Sequence, residues 1–253
     1  MGLNRLYGGV ALCAMVAGTA AAQEQRPTLL GEILVLGEKS ERNLQETRTG
    51  VQVFTQEIIE DSSIEDIDDV LDQTANATQR FGGEGFAIRG IQNANVAGGG
   101  QSPLATFYVD GAPFNSFALR TGIEEVWDVA QVEIFKGPQS TLFGRNALAG
   151  VINLKTNDPE YANYARFRAQ GGTQETYGGS FVINGNIIDG ELALRIAGDW
   201  NSSDGFYDNP TLRNDRQAFN RNQSLRGKLL FEPFDNVSNV LTLTYSNNES
   251  GDD

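Results

Sequence analysis

The chain has 253 residues, with 19 Lys and Arg against 33 Asp and Glu, a net charge of −14, one Cys and no His. That balance argues against a nucleic-acid binder, which needs a basic face for phosphates. It also excludes a His-based triad, a His general base, an internal disulfide and a thiolate metal cluster. Glycine is abundant at 29 residues, and aromatics are interleaved with Asn and Gly, so the chain reads as β-rich and turn-rich.

Residues 1–22 read as a secretory signal. Arg5 is the only charge, Leu6 to Val16 is apolar apart from its glycines, and Ala20-Ala21-Ala22 offers small residues for cleavage. The apolar run is shorter than the roughly 20 residues of a spanning helix. Leu12 before Cys13 is too bulky for a lipidation site.

Residues 23–42 form a short polar arm interrupted by Ile33-Leu34-Val35-Leu36. An extended apolar stretch in a flexible arm can add as a strand to a partner's sheet edge. The alternative is an ordinary first strand of the folded region. Residues 43–157 read as a compact region of two helices and several short strands. Thr55 is expected to cap a turn through Gln56–Glu60, and Ser62 or Ser63 a second helix to about Asp72, with Ile64, Ile67, Val70 and Leu71 on one face. The stretch 56–72 holds eight acids and no base. It is either a solvated helix face or a docking face for a basic partner.

From about Tyr161 the pattern becomes period-two alternation with Gly, Asn and Asp turns. Strands are predicted over 164–170, 177–186, 191–200, 225–232 and 239–246. Each has an apolar face, for example Phe167, Phe181, Ile196, Leu229 and Leu243. Each also has a polar face, for example Arg168, Asn184, Arg195, Lys228 and Thr242. Tyr177, Trp200 and Tyr245 are expected near strand ends, as in an aromatic girdle. Short connections alternate with the long one at 201–221. These features favour an outer-membrane barrel wall over a soluble sheet.

Three segments then carry a family resemblance. They are Phe86-Ala87-Ile88-Arg89-Gly90, Tyr108-Val109-Asp110-Gly111-Ala112-Pro113, and Val132-Glu133-Ile134-Phe135-Lys136-Gly137-Pro138 running on to Gly144, followed by Gly150-Val151-Ile152-Asn153-Leu154. In this order, behind a signal and ahead of alternating strands, the chain resembles the N-terminal part of a TonB-dependent outer-membrane receptor of the iron-complex type. Locally, Val132–Phe135 and Val151–Leu154 are strands that can pair. Asp110-Gly111 is a hairpin turn. Gly137-Pro138 forces a turn. Gly144 and Gly150 are expected where a Cβ would clash.

The resemblance implies an α+β plug domain followed by the first strands of a 22-stranded antiparallel transmembrane β-barrel. It implies active import of a ferric siderophore or similar complex, with no covalent chemistry and no cofactor. Cobalamin or a carbohydrate would leave similar plug motifs. Glu32, Ile33, Leu34, Val35, Leu36 and Gly37 resemble the TonB box, the segment presented to TonB and its inner-membrane motor. The box follows the expected mature terminus closely, with no room for a preceding signalling domain. Arg89 and Lys136 correspond to basic residues that anchor the plug to acids of the barrel wall. Lys136 stands where Arg is usual and lacks the bidentate fork. The ligand-facing loops correspond to Gln79–Gly83, Asn93–Gln101 and Phe114–Phe117. Their candidate contacts are Arg80, Phe81, Asn93, Asn95, Gln101, Phe114, Asn115 and Phe117. The 94 residues after Pro159 suffice for about five strands at roughly ten residues each. The expectation is therefore an N-terminal fragment or a truncation.

Overall fold

The alternating and β-branched segments of the sequence become strands wherever a partner strand can satisfy their main-chain groups. The computed structural model describes residues 34–36, 42–43, 50–79, 85–93, 104–114, 126–144, 147–173, 175–204, 207–209, 214–217, 219–234 and 236–250. The expected signal segment lies outside them. The described residues fall into two units that divide between Asn157 and Asp158.

The first unit contains, in chain order, β1 (Leu34–Val35), β2 (Arg42–Asn43), β3 (Gly50–Thr55), α1 (Gln56–Asp61), α2 (Ile67–Asp72), β4 (Ala77–Gln79), β5 (Phe86–Ile88), β6 (Ile91–Gln92), β7 (Ala105–Val109), β8 (Ala112–Phe114), β9 (Val129–Lys136), α3 (Ser140–Phe143) and β10 (Gly150–Thr156). Its main sheet has the order β3-β9-β10-β7-β8. β10 runs antiparallel to β9, pairing Val151 with Phe135 and Leu154 with Val132, and parallel to β7. The expected pairing of the two motif strands is thus observed, and β10 becomes the centre of a mixed sheet.

Both faces of this sheet are covered. Val132, Ile134, Ile152, Leu154, Phe107 and Phe54 pack with the helical residues Ile59, Ile67, Val70 and Leu71. On the other face Phe135, Val53, Val151 and Ala147 enclose Val35. At Asp110 and Gly111, φ values of 47° and 81° form the turn between β7 and β8.

Two local expectations change. Thr55 caps α1 as expected, its hydroxyl accepting from Ile58 N at 3.4 Å, but α2 starts later than the serines imply. Ser63 adopts a left-handed φ of 53°, and Asp66 caps the helix instead, accepting from Asp69 N at 2.8 Å. Among the glycines, Gly150 does fill a close approach, since a Cβ there would meet the Phe135 carbonyl and Ile88. Gly144 has open space around it and is needed for its φ of 80°.

The second unit is an antiparallel sheet of five strands: β11 (Tyr164–Gly171), β12 (Tyr177–Ile188), β13 (Leu192–Ser203), β16 (Asn220–Phe234) and β17 (Val237–Ser250). The long connection carries a hairpin of β14 (Tyr207–Asn209) and β15 (Asn214–Gln217). The strands extend further than the alternation alone marks. Trp200 and Tyr245 consequently lie inside their strands, a correction to the girdle placement; Tyr177 does begin β12.

The sheet is the reverse of a water-soluble one. Phe167, Ile183, Leu225, Leu241, Leu243 and Tyr245 are exposed, while Asn184, Arg195, Asp199, Arg226 and Lys228 are buried. The covered polar groups are engaged. Arg168 bridges to Asp199 at 3.3 Å beside Ser180. Arg195 donates to the Tyr164 hydroxyl at 2.5 Å, and Lys228 pairs with Asp158 at 2.8 Å.

Candidate functional site

The first cluster of interest is at the arm. β1 is only two residues long, yet Val35 is fully buried against Val53, Phe135, Ala147 and Val151. β1 pairs with β2, matching Leu34 to Asn43 and Val35 to Arg42. Two side chains of β9 also hold it. Gln131 Nε2 donates to the Leu34 carbonyl at 2.8 Å. Leu36 N donates to Glu133 Oε1. Glu133 has no exposed surface, and its carboxylate also accepts from Gln131 Nε2 at 2.8 Å and Asn153 Nδ2 at 2.9 Å. Leu34, Val35 and Leu36 are therefore part of the folded unit, not of a free arm. Glu32, Ile33 and Gly37 lie outside the described residues.

Sequence reasoning missed Gln131, Glu133 and Asn153 as functional candidates. One signal was available: polar residues two apart, at 131 and 133, inside an otherwise apolar strand. A carboxylate there must find donors or carry a heavy desolvation cost.

The second cluster is cationic. Arg89 occupies a left-handed turn with φ 53° between β5 and β6, its N–H donating to the Asn76 carbonyl at 2.7 Å. Its exposed guanidinium lies over the bare backbone of Gly50 and Gly137; a Cβ at Gly137 would come within 3.2 Å of it. Lys136, beside it at the end of β9, donates to Gln52 Oε1 at 3.2 Å. Partial burial and then the neighbouring Arg89 charge lower the Lys136 pKa. The structure thus brings together the two residues expected to anchor the plug, as a paired cation at one end of the sheet.

The apical candidates divide. Asn93 is buried, and its side-chain carbonyl accepts from Phe86 N at 2.9 Å while its own N–H donates to the Phe86 carbonyl. In this structure it braces the β5–β6 turn. Phe114 ends β8 half-buried, in an edge-on contact with Phe107 at 6.4 Å. Arg80, Phe81, Asn95, Gln101, Asn115 and Phe117 lie outside the described residues. Among the described residues there is no group of three or more metal-ligating side chains.

With this geometry in place, the similarity to known proteins is informative. Residues 43–151 match the family described as TonB-dependent Receptor Plug Domain. The chain is 26% identical to the pesticin receptor of Yersinia pestis over 76% of its length and 28% of that protein's. It is 24% identical to the ferrioxamine receptor of Yersinia enterocolitica, over 84% of this chain and 29% of that one. Its fold superposes on the ferric yersiniabactin uptake receptor of Yersinia pestis with a TM-score of 0.69 at 24% identity, covering 78% of this chain and 31% of that structure. The chain spans under a third of the length of these relatives.

Proposed function

We propose that this chain supplies the plug and the first wall strands of an outer-membrane receptor that imports a ferric siderophore or similar iron complex. The observation that carries the reading is the inverted sheet. Its exposed apolar face suits lipid, and its covered charges suit a polar lumen. It directly follows a plug of the TonB-dependent receptor family. The ferrioxamine and ferric yersiniabactin receptors among the relatives favour iron complexes as cargo.

In this reading residues 1–22 direct export, 23–42 form the periplasmic arm, 43–157 the plug and 158–253 the start of the barrel. Glu32–Gly37 docks TonB, which couples the inner-membrane motor to the plug. Arg89 and Lys136 face carboxylates of the barrel wall. Arg80, Phe81, Asn95, Gln101, Phe114, Asn115 and Phe117 contribute to the ligand face: Arg80 for an anionic chelate, the amides by hydrogen bonding, the aromatics by stacking. The protein works by binding and displacement and is not an enzyme.

The test is uptake of a labelled ferric siderophore by iron-starved cells carrying the whole receptor. Ile33→Pro, which removes a main-chain donor from the docking strand, is expected to abolish uptake while leaving surface binding intact. Undiminished uptake in that variant would refute energy coupling through this segment.

A further inference from the structure

We propose that Gln170, Asn201, Asn222 and Asn248 form a band of side-chain amides that binds a neutral, hydroxyl-rich ligand of the sugar class. The inference rests on the barrel-wall reading of the second sheet and goes beyond the iron-complex cargo.

The band is a consequence of register. In an antiparallel sheet, directly opposed residues project from the same face. Asn201 of β13 stands opposite Asn222 of β16, and Asn222 opposite Asn248 of β17. On its other side Asn201 stands opposite Gly178 of β12, and Gly178 opposite Gln170 of β11. Gly178 leaves the space that the Gln170 side chain enters: a Cβ there would come within 2.8 Å of Gln170 Cγ and 2.9 Å of its Nε2. The amides thus run as one row across the polar face, at strand spacings of about 4.8 Å. The row lies close to the long connection between β13 and β16. That end faces outward in a barrel with short periplasmic turns and longer extracellular loops.

Two acceptors of this row are unmet. The side-chain carbonyl oxygens of Asn201 and Asn222 are covered and accept no hydrogen bond, and Asn222 is only 6% exposed. A covered acceptor without a donor carries a desolvation cost that an incoming O–H or N–H relieves. Gln170, Asn201 and Asn248 are half-buried, so the row stays partly open, with Asn222 deepest. It contains no charge. In the next row toward the turns, Ser180, Ser224 and Ser246 supply hydroxyls, and Arg168 and Asp199 neutralise each other at 3.3 Å. An anion meets no unbalanced positive charge in these two rows. A hard cation meets no carboxylate outside that ion pair. A hydroxyl both donates and accepts, as an amide does, so a run of sugar hydroxyls can pair with this run of amides in either sense.

The test is binding by the purified whole receptor in detergent, read by saturation-transfer NMR and isothermal titration, with sorbitol and maltotetraose as neutral probes. Saturable binding of maltotetraose is expected. Asn222→Leu and Asn201→Leu should each weaken it by roughly tenfold, the scale of one hydrogen bond lost at a buried partner. Thr242→Val, deeper on the same face, should leave it unchanged. Heat-modifiable migration on gels shows whether each variant still forms a barrel; where Asn222→Leu does not, Asn201→Leu, at a half-buried position, decides. No saturable binding of either neutral probe would overturn the proposal. So would an unchanged affinity in both amide variants, which would leave the row to ordered water. Tetragalacturonate, the carboxylated counterpart, should bind more weakly than maltotetraose, and tighter binding would overturn the neutral-ligand assignment. Ferric siderophore uptake reads the other question: sugar binding without uptake would keep the band and remove the iron-complex reading, and uptake without sugar binding would do the reverse.

Discussion

Replacing Asp66 by Asn should stabilise the plug at neutral pH and remove part of its pH dependence. Burial raises the Asp66 carboxyl from 3.8 to about 6, and the neighbouring acids Asp69 and Asp68 push the same way, against hydrogen bonds from backbone N–H groups. Folded protein therefore holds this proton more tightly than unfolded chain. The contribution to stability is fully present below about pH 4, declines as the pH rises, and is lost above about pH 6. One pKa unit corresponds to about 1.4 kcal/mol, so the full shift corresponds to about 3 kcal/mol. Partial exposure of the side chain reduces that to roughly 1–2 kcal/mol. Two opposing effects are smaller. A negative charge at a helix N-terminus is worth about 0.3–1 kcal/mol, and Asn caps a helix about as well as Asp, so the bond to Asp69 N is retained. The assay is urea unfolding of residues 23–157, followed by the fluorescence of Trp127, the one Trp in that stretch. The Asp66→Asn variant should exceed the parent by roughly 1 kcal/mol at pH 7, with the difference vanishing near pH 3.5. A variant that is less stable at pH 7, or a difference that stays constant between pH 4 and 7, would refute the reasoning.

Gly150→Ala should destabilise the plug by about 1–3 kcal/mol, the usual scale of overpacking, because the added Cβ meets backbone at Phe135 as well as Ile88; urea midpoints of the same protein give the value. Phe135→Ala should cost about 3–5 kcal/mol, since Phe135 is fully buried beneath Val35 and contacts Phe143, and it should loosen the arm as well, read as faster proteolysis near residue 36. Leu243→Arg, on the exposed apolar face, should cost about 2–4 kcal/mol of membrane stability at the bilayer midplane. A whole receptor carrying it should show reduced heat-modifiable barrel on gels, whereas Thr242→Arg on the opposite face should not.

Much of this architecture was legible because it is local. Alternation alone located the five strands of the second sheet, since a sheet with apolar groups on one side and polar groups on the other needs period-two patterning along its length. The pairing of β9 with β10 followed from two apolar segments joined by Gly137-Pro138. Other features depend on contacts that no local window contains. The cap of α2 moved from the serines to Asp66 because Ser63 is committed to a left-handed turn. The β14–β15 hairpin lies in a polar stretch without alternation. At the candidate site, Arg89 and Lys136 were visible through their motifs, but their shared position was not. Glu133 stood in the sequence only as one residue of a motif strand; its partners are Asn153, twenty positions away, and Leu36 of the arm, 97 positions away. The bond of Asn93 to Phe86 N likewise needs the turn to be seen.

The register places Gly50 and Gly150 on either side of Lys136, and Gly137 follows it. The positions directly opposite the lysine on the adjoining strands thus carry no side chain beside its stem. The same bareness lets a guanidinium lie over the backbone. The sheet end is thus a platform of bare backbone on which two positive charges are mounted side by side. The head of Lys136 is instead met by Gln52, and under the proposed reading an Arg at position 136 would add a bidentate grip on a carboxylate that Lys lacks.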